Sequence, residues 1–360
     1  MANKNLSRAR AVKNDEFYTQ FYDIEREIQA YLDYNPDVFR GKTVLLPCDD
    51  PEWSNFTRYF AQNFELLGLK KLISTSYAYE SKTFKEGFQL TLFEEEAPQF
   101  DPNKTRTHGK IFTLTNEKSG SKRIDLDDLK WDYLDGDGDF RSKEVCRLRD
   151  EADIIVTNPP FSLFREFFAW IMEAEKDFII IGNINVVTFK EVFPYIKQNK
   201  AWLGVSLNAT KCSFIVPNAY EGDNVYYDNG IRYAKVNNAV WFTNLEHGKR
   251  HQPLTLMTME DNLRYSKHKE IKGKAAYDRY DNYDAIEVPY ADAIPNDYDG
   301  VMGVPVTFLN KYCPEQFEII DINPHFYAIV EQGKEKPRQL TLKNANKKDP
   351  YARILIRKKQ

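Results

Sequence analysis

A short apolar run that ends in two prolines most constrains what this chain can fold into. Residues 153–156, Asp-Ile-Ile-Val, are mostly β-branched, which is typical of a buried strand. Thr157 and the loop Asn158-Pro159-Pro160-Phe161 follow, and apolar residues at helical spacing begin after Ser162. The pattern predicts a strand, a stiff loop and a helix. The loop then lies at the carboxyl end of a strand, where open α/β sheets bind their ligands.

The loop residues suit one kind of chemistry, transfer to an aromatic amine. The lone pair of such an amine is delocalised into its ring, so the amine is a poor nucleophile. The side-chain oxygen of Asn158 and the carbonyl oxygen of Pro159 could each accept one N–H, which favours a pyramidal nitrogen able to attack a methyl sulfonium. Pro159 and Pro160 stiffen the loop and donate no hydrogen bonds. Phe161 offers a face for a flipped base.

Strand and helix patterns alternate from about residue 43 to residue 200, which predicts a parallel sheet with helices on both faces. Two segments interrupt the alternation. Residues 88–92 and 110–114 alternate in polarity and predict an inserted hairpin within about 78–120. After residue 245 the chain becomes rich in Tyr, Asp, Asn and Lys. The fold class is therefore α/β, with an insertion and a C-terminal region of different character.

Three further groups of residues could bind a ligand. Asp49 and Asp50 follow the first predicted strand and could hold an amino group, although a helix-capping role is about as consistent with their position. Asp139 could accept from the amine of a cofactor adenine while Phe140 stacks on its ring; a plain surface turn is the alternative. Trp241 ends a late strand and could sandwich a flipped base opposite Phe161, although a tryptophan in a sheet more often belongs to the core.

The charge distribution favours a polyanionic partner although the net charge is −4. Residues 1–14 hold four basic residues and no acid, and residues 331–360 hold ten Lys or Arg against three acids. The four cysteines form no CxxC pair and the histidines are scattered, so we expect neither zinc nor a disulfide framework. No signal peptide or membrane span is legible, and a cytoplasmic location is the expectation.

Taken together, these motifs resemble the EcoRI-type adenine-specific DNA methyltransferases. The resemblance runs through nearly the whole chain and rests on long, unusual strings. These are DEFYTQ at 15–20, CDDP at 48–51, GDGDFRS at 136–142, TNPPFSLFRE at 157–166, WFTNL at 241–245, YDNYDAI at 280–286, GVMGVPVTFL at 300–309, PEQFEII at 314–320 and YARILIRKK at 351–359.

The resemblance implies a Rossmann-like methyltransferase sheet that uses S-adenosylmethionine to methylate N6 of a flipped adenine in double-stranded DNA. It implies the modification enzyme of a restriction-modification or related system. We expect the protein to act as a monomer. Tyr18 and Thr19 are then expected near the cofactor with Asp49, Asp50, Asp139 and Phe140. Asn158 to Phe161 and Trp241 are expected at the target base.

The expected organisation has four parts. Residues 1–14 form a flexible basic arm, 15–245 the catalytic domain, 246–300 the target-recognition region, and 301–360 C-terminal strands with a basic tail. Within the last two parts, Arg264, Lys267, Lys358 and Lys359 are candidates for DNA contacts.

Two other functions remain open on the sequence alone. The amine could belong to an RNA adenine or to a protein glutamine. The chain could also be a non-catalytic DNA-binding protein, although intact Asn158-Pro159-Pro160-Phe161 and Asp139-Phe140 speak against a decayed site.

Overall fold

The computed structural model describes residues 18–52, 54–78, 100–115, 130–208, 212–216, 224–323, 340–342 and 352–359. The predicted basic arm and the first strand of the predicted hairpin lie outside these residues. The α-helices are α1 (Phe21–Tyr34), α2 (Asn55–Gln62), α3 (Lys104–Thr107), α4 (Lys143–Glu151), α5 (Phe164–Glu173), α6 (Phe193–Lys197) and α7 (Met259–Tyr265). The strands are β1 (Thr43–Leu46), β2 (Lys71–Thr75), β3 (Lys110–Thr115), β4 (Trp131–Tyr133), β5 (Ile154–Thr157), β6 (Asp177–Asn183), β7 (Trp202–Asn208), β8 (Cys212–Ile215), β9 (Val225–Asp228), β10 (Ile231–Val236), β11 (Ala239–Thr243), β12 (Ala285–Glu287), β13 (Val301–Pro305), β14 (Phe317–Asn323) and β15 (Arg353–Lys358).

An eight-stranded sheet organises the first part of the chain, in the order β4-β3-β2-β1-β5-β6-β11-β7. Its centre is parallel: β1 pairs with β2 and β5, and β5 pairs with β6. Strand β11 runs antiparallel to β6. The central strands β1 and β5 are fully buried, as expected for parallel strands covered on both faces. The predicted α/β, Rossmann-like sheet is confirmed.

Helices cover both faces of this sheet, and neighbouring residues of β11 show it. The Trp241 ring packs edge-on against Phe56 of α2, with ring centroids 6.0 Å apart. The next residue, Phe242, packs against Phe164 of α5 at 5.3 Å. Successive strand residues point to opposite faces, so α2 and α5 lie on opposite sides of the sheet. A Cβ on Gly182 of β6 would come within 2.3 Å of the Phe164 ring, so α5 packs closely on the sheet.

A buried carboxylate anchors α1 to β7. Glu27 is fully buried and accepts hydrogen bonds from the backbone N–H groups of Val205 and Ser206, at 2.9 and 2.7 Å. It also accepts from the Tyr31 hydroxyl at 2.7 Å. A Cβ on Gly204 would lie 2.1 Å from the Glu27 carboxylate, so only glycine lets the strand approach this closely. Glu27 therefore fixes the helix that follows the predicted cofactor residues Tyr18 and Thr19.

The second strand of the hairpin predicted within 78–120 has other neighbours than a separate hairpin would give it. That strand is β3, which pairs with β2 on one side and β4 on the other, both antiparallel. It therefore extends the main sheet. Alternating polarity indicated a strand correctly, but it carries no information about which strands are its neighbours.

The chain divides into two compact units: residues 1–183 with 204–245, and residues 184–203 with 246–360. The first contains the main sheet and a small antiparallel sheet, β8-β10-β9. The second contains a four-stranded sheet, β12-β13-β15-β14. Because β12 pairs with β13, the segments 246–300 and 301–360 share one sheet. Among the described residues, no helix is long and apolar enough to span a membrane.

We predict that Glu27→Ala destabilises the protein by about 2–4 kcal/mol. The substitution leaves two buried backbone N–H groups without their acceptor, and such groups cost more than an ordinary hydrogen bond contributes. Urea unfolding followed by circular dichroism measures the change. Glu25→Ala, an exposed glutamate in the same helix, is the control and should change stability by less than about 0.5 kcal/mol. Equal effects of the two substitutions would contradict the anchoring role.

Candidate active site

The candidate site lies where β1 and β5 are neighbours in the main sheet. The chain leaves β1 for β2 on one side and returns to β5 on the other. Such a reversal opens a crevice at the carboxyl ends of the two strands, the usual ligand site of an open α/β sheet. Asp49 and Asp50 follow β1, and Asn158 follows β5. The structure therefore brings the two predicted groups to one place.

Asp49 ties three elements together at this crevice. Its carboxylate accepts from the Ser54 hydroxyl at 2.6 Å and from the Thr157 hydroxyl at 2.6 Å. Thr157 is the last residue of β5, and Ser54 is the N-cap of α2, where it accepts from the Phe56 backbone N–H. The end of β1, the end of β5 and the start of α2 are thus joined through one buried side chain.

Burial is the largest influence on the Asp49 carboxyl and raises its pKa to about 7. The two hydroxyl donors act in the opposite direction, and the neighbouring Asp50 carboxylate adds to the rise. A carboxyl with this pKa changes protonation near neutral pH. A cation bound beside it would favour the charged form.

Asp50 has a different environment. It is half-buried, and the Lys110 ammonium lies 3.8 Å from its carboxylate while also pairing with Glu52. Its other oxygen accepts from the Glu52 backbone N–H at 2.9 Å. The carboxylate of Asp50 thus faces a cation of the protein, whereas that of Asp49 is bonded only to neutral hydroxyls. Of the two acids, Asp49 is the better acceptor for a cationic group of a ligand.

The side chain of Asn158 is oriented by the N-terminal segment. Its amide nitrogen donates to the Thr19 hydroxyl at 3.3 Å, and this directs the amide oxygen away from Thr19. Thr19 is itself held, because its carbonyl accepts from the Asn55 side chain at 2.8 Å. Tyr18 forms a two-way backbone bridge with Ile215 of β8, at 2.9 and 3.0 Å. The segment predicted to lie near the cofactor is therefore in contact with the loop that carries Asn158.

The rest of the loop leads stiffly into α5. The Pro160 carbonyl accepts from the Leu163 backbone N–H at 2.9 Å, which closes a 3-10 turn over Phe161–Leu163. Phe161 is half-buried and packs against the core with part of its ring. The predicted helix thus starts with this turn and becomes α-helical at Phe164.

The GDGDF loop approaches the carboxyl end of β2. Gly138 has a φ of +80°, and a Cβ there would lie 2.1 Å from the Ser76 carbonyl oxygen, so this position requires glycine. Asp139 forms an ion pair with Arg141 at 2.6 Å. Phe140 is only 5 % exposed. Both oxygens of the Asp139 carboxylate accept from the Arg141 guanidinium, at 2.9 and 2.6 Å, so Asp139, like Asp50, faces a cation of the protein. Phe140 in turn has little open ring face.

The surroundings of Phe140 explain its burial. Its ring packs against Phe167 and Trp170 of α5, at 5.1 and 5.6 Å, and the Arg141 guanidinium lies 5.2 Å from the ring centroid. Stacking of this ring on a cofactor adenine, as the sequence suggested, would require Arg141 to move.

Trp241 does not face a ligand, so the prediction that it stacks on the target base is wrong. The side chain is fully buried in the middle of β11 and pairs in register with Ile181 of β6. Its indole N–H donates to the Ser206 hydroxyl at 2.8 Å. The sequence placed this ring at the end of a strand, where it could be accessible, but β11 lies between β6 and β7 in the main sheet.

Two of the basic candidates lie near the end of α7 in the second unit. Arg264 is exposed, and its guanidinium lies 5.2 Å from the ring centroid of Tyr265. Lys267 is also exposed and pairs with Asp292 at 2.7 Å. Surface pairs of this kind are weak, so both side chains can exchange their present contacts for a phosphate or a base edge.

The C-terminal candidates differ from one another. The Lys358 ammonium donates to the Asn296 carbonyl, which ties β15 to the segment before β13. Lys358 therefore has a structural contact. Lys359 is exposed, and only its backbone N–H is engaged, by the Gln316 carbonyl.

Sequence reasoning missed the three residues that hold the site in place: Thr157, Asn55 and, as a partner of Asp49, Ser54. A signal exists for Thr157, a hydroxyl residue that closes an otherwise apolar buried strand. Such a residue needs a hydrogen-bond partner inside the protein. Nothing in the sequence identifies that partner as Asp49, which lies 108 residues earlier.

We predict that the stability of the protein falls more steeply between about pH 4 and 7 than that of an Asp49→Asn variant. In the unfolded chain Asp49 ionises near its ordinary pKa, but in the folded protein its pKa is about 7. The protonated form is favoured by folding, so this contribution is complete below pH 4 and lost as pH rises through 7. The difference amounts to about 4 kcal/mol. Urea unfolding of both proteins across this range measures it, and parallel pH profiles would contradict it.

Comparison with known proteins agrees with this geometry. The family model described as "Adenine-specific methyltransferase EcoRI" matches residues 5–359. The chain is 43% identical to Type II methyltransferase M.EcoRI of Escherichia coli, over 99% of this chain and 97% of that protein. It is 34% identical to M.MgeORF184P of Mycoplasma genitalium and 32% identical to M.MpnI of Mycoplasma pneumoniae, both Type II methyltransferases, over 98% or more of each chain. No solved structure matches the chain. The chain therefore belongs to the EcoRI family of adenine-specific methyltransferases.

Proposed function

We propose that this protein transfers a methyl group from S-adenosylmethionine to N6 of an adenine flipped out of double-stranded DNA. It does so at a specific sequence, as the modification enzyme of a restriction-modification system. Family membership makes it an adenine-specific DNA methyltransferase. The methyl donor and the flipped base are proposed from the site described above, and the duplex form of the substrate from the family resemblance.

The observation that carries the proposal is the fixed orientation of the Asn158 amide at the carboxyl end of β5. Thr19 holds the amide nitrogen, so the oxygen is directed away from Thr19 to accept an N–H of the substrate. The Pro159 carbonyl follows in the same stiff loop and can accept the second N–H. Two acceptors on one amine draw its lone pair out of conjugation, because the amine then becomes pyramidal. Preorganised polar groups of this kind cost no reorganisation during the reaction.

The acceptors around the crevice fit S-adenosylmethionine. Its methionine part carries an ammonium group, which suits the Asp49 carboxylate, and its adenine amine would suit Asp139 once the Arg141 guanidinium turns away from that carboxylate. The close approach of Gly138 to the Ser76 carbonyl leaves no room for a side chain at the point where this loop meets the end of β2. When bound, S-adenosylmethionine would supply the methyl carbon of its sulfonium as the electrophile, with the neutral thioether as the leaving group.

The remaining residues of the site hold the reacting groups in place. Asp49 and Thr157 join the ends of β1 and β5, so the ammonium-binding side and the amine-binding side share one rigid support. Phe161, at the end of the loop, keeps part of its ring accessible for stacking on the extruded adenine. Stacking of a base on an aromatic ring contributes about 1–3 kcal/mol. Trp241 is excluded as the second face of the sandwich by its burial.

The test of the proposal is methyl transfer from labelled S-adenosylmethionine to several acceptors in parallel. The purified protein is offered duplex DNA, the separated strands, structured RNA and a glutamine-containing peptide, and the products are identified by mass spectrometry of nucleosides and peptides. We expect label in N6-methyladenine of duplex DNA, with sequencing of the product giving one recurrent site. Label only in RNA or peptide, or in none of the four, would overturn the proposal.

We predict that Asn158→Ala lowers the single-turnover rate of methyl transfer by about 100- to 1000-fold, because one of the two acceptors for the amine is lost. Affinities for S-adenosylmethionine and DNA should stay within about threefold, as measured by calorimetry and fluorescence anisotropy. Asn103→Ala, which removes an exposed amide elsewhere in the first unit, is the control and should retain the wild-type rate. A near-normal rate for Asn158→Ala would exclude the polarising role.

We further predict two different effects of neutralising basic residues of the second unit. Lys359→Gln should weaken binding to every duplex alike and lower the salt dependence by about one contact, since a phosphate contact carries no sequence information. Arg264→Gln and Lys267→Gln should change the relative methylation of near-cognate sites, where a base contact is worth about 1–3 kcal/mol. Lys70→Gln, an exposed lysine at the start of β2, is the control. Sequencing of methylated DNA from cells expressing each variant measures site preference, and salt titrations of DNA binding measure the phosphate contacts. The same site preference and the same salt dependence in all four variants would contradict the assignment.

A further inference from the structure

The hairpin formed by β9 and β10 has an apolar tip. Its turn is Asn229-Gly230, and both residues have positive φ values, +48° and +79°. A two-residue turn of this kind matches the twist of the two strands and fixes their register. Tyr227 and Ile231 lie close to the turn on either side, with 68 % and 45 % of their surfaces exposed. Within the part of the first unit that the structure describes, no neighbouring residue buries these two large apolar side chains.

The two side chains point to opposite faces of the hairpin. Tyr227 lies directly across from Arg232, and Ile231 lies across from Asp228. Neighbouring residues in a strand face opposite ways, so Ile231 and Arg232 lie on different faces, and Tyr227 shares the face of Arg232. The tip therefore presents apolar surface on both sides.

The base of the hairpin is rigid, in contrast to its exposed tip. Tyr226 and Tyr233 stack across the two strands with ring centroids 5.4 Å apart, and the Lys235 ammonium lies 4.8 Å from the Tyr226 ring. The Tyr226 hydroxyl donates to Ser213 of β8 at 2.8 Å. Phe214 of β8 is buried in the core of the first unit. The tip is thus held at a fixed place by packing below it.

That place is at the catalytic edge of the main sheet. Strand β11 begins with Ala239 opposite Asn183, the carboxyl end of β6, so the chain between β7 and β11 enters the sheet at the carboxyl edge of the parallel strands. Strand β8 also bridges directly to Tyr18, the residue before Thr19, which holds Asn158. The hairpin and the catalytic amide are therefore connected through one short run of backbone.

We propose that the tip of the β9–β10 hairpin enters the major groove of the substrate DNA beside the target adenine. The inference rests on the proposed function and assigns it a contact surface in the first unit. The major groove is about 12 Å wide and admits a two-stranded β-ribbon. Tyr227 and Ile231 then pack on base edges and thymine methyl groups, as apolar side chains do in that groove. Arg232 and Lys235, against the single acid Asp228, give the ribbon the charge that suits flanking phosphates.

The test compares a Tyr227→Ala/Ile231→Ala double variant with wild type on a 30-bp duplex that carries the site methylated by wild type. Tyr227 is mostly exposed and Ile231 nearly half exposed, so the double variant should unfold close to the wild-type temperature. We expect DNA affinity to fall about 10- to 100-fold by fluorescence anisotropy. The duplex is also treated with dimethyl sulfate, and protection of guanine N7, a major-groove atom, should be lost next to the target. Calorimetric affinity for S-adenosylmethionine should not change.

Leu66→Ala is the matched control. Leu66 is 78 % exposed in the first unit but lies before the start of β2, at the opposite edge of the sheet. It should leave DNA affinity and the protection pattern unchanged. DNA affinity of the double variant within twofold of wild type would overturn the inference. The inference would also be overturned if the double variant kept its DNA affinity and differed from wild type only in its sedimentation coefficient. The tip would then be a contact between two copies of this chain. If wild type methylates no DNA, the proposed function fails and the inference falls with it; an unaffected double variant alongside an active wild type refutes the inference alone.

Discussion

The hydrogen bond from the Thr157 hydroxyl to the Asp49 carboxylate is the interaction on which the site depends. It spans the topological switch of the main sheet at 2.6 Å and joins the ends of two strands that are far apart in the sequence. Through Ser54 the same carboxylate fixes the start of α2, and Asn55, the next residue, holds Thr19. Thr19 in turn orients Asn158. The Asn158 amide, which we propose polarises the amine, is therefore positioned by a chain of contacts that begins at Asp49.

This arrangement has a cost that is consistent with a functional site. A carboxyl surrounded by protein and bonded only to neutral hydroxyls has its pKa raised to about 7, so its charged form is poorly stabilised until a cation arrives. Strongly perturbed groups of this kind cluster at functional sites. Glu27 offers a contrast. It is equally buried, but two backbone N–H groups and a tyrosine hydroxyl satisfy it within the fold, and it serves to anchor α1.

The sequence predicted the parts of the site that depend on local order along the chain. Strand β5, its Pro-Pro loop and the helix after it are encoded in consecutive residues, as are the acids after β1. Family resemblance implied that Thr19 lies near the cofactor, but it did not predict the contact of Thr19 with Asn158. The sequence could not reveal lateral neighbours. The sequence indicated that Trp241 ends a strand, but the pairing of β11 within the sheet buries it. The sequence also indicated an accessible Phe140, but α5 packs over its ring. The partner of Thr157 and the neighbours of β3 depend on the same long-range pairing.

Replacement of Thr157 by Val tests the central claim most directly. Valine has nearly the same shape but cannot donate to Asp49, so the loop that carries Asn158 loses this support without the creation of a cavity. The account predicts that the single-turnover rate of methyl transfer falls at least about tenfold, while DNA affinity stays within twofold of wild type and Thr157→Ser, which keeps the hydroxyl, recovers most of the rate. A wild-type rate for Thr157→Val would contradict the account, because the orientation of Asn158 would then not depend on the link between β1 and β5.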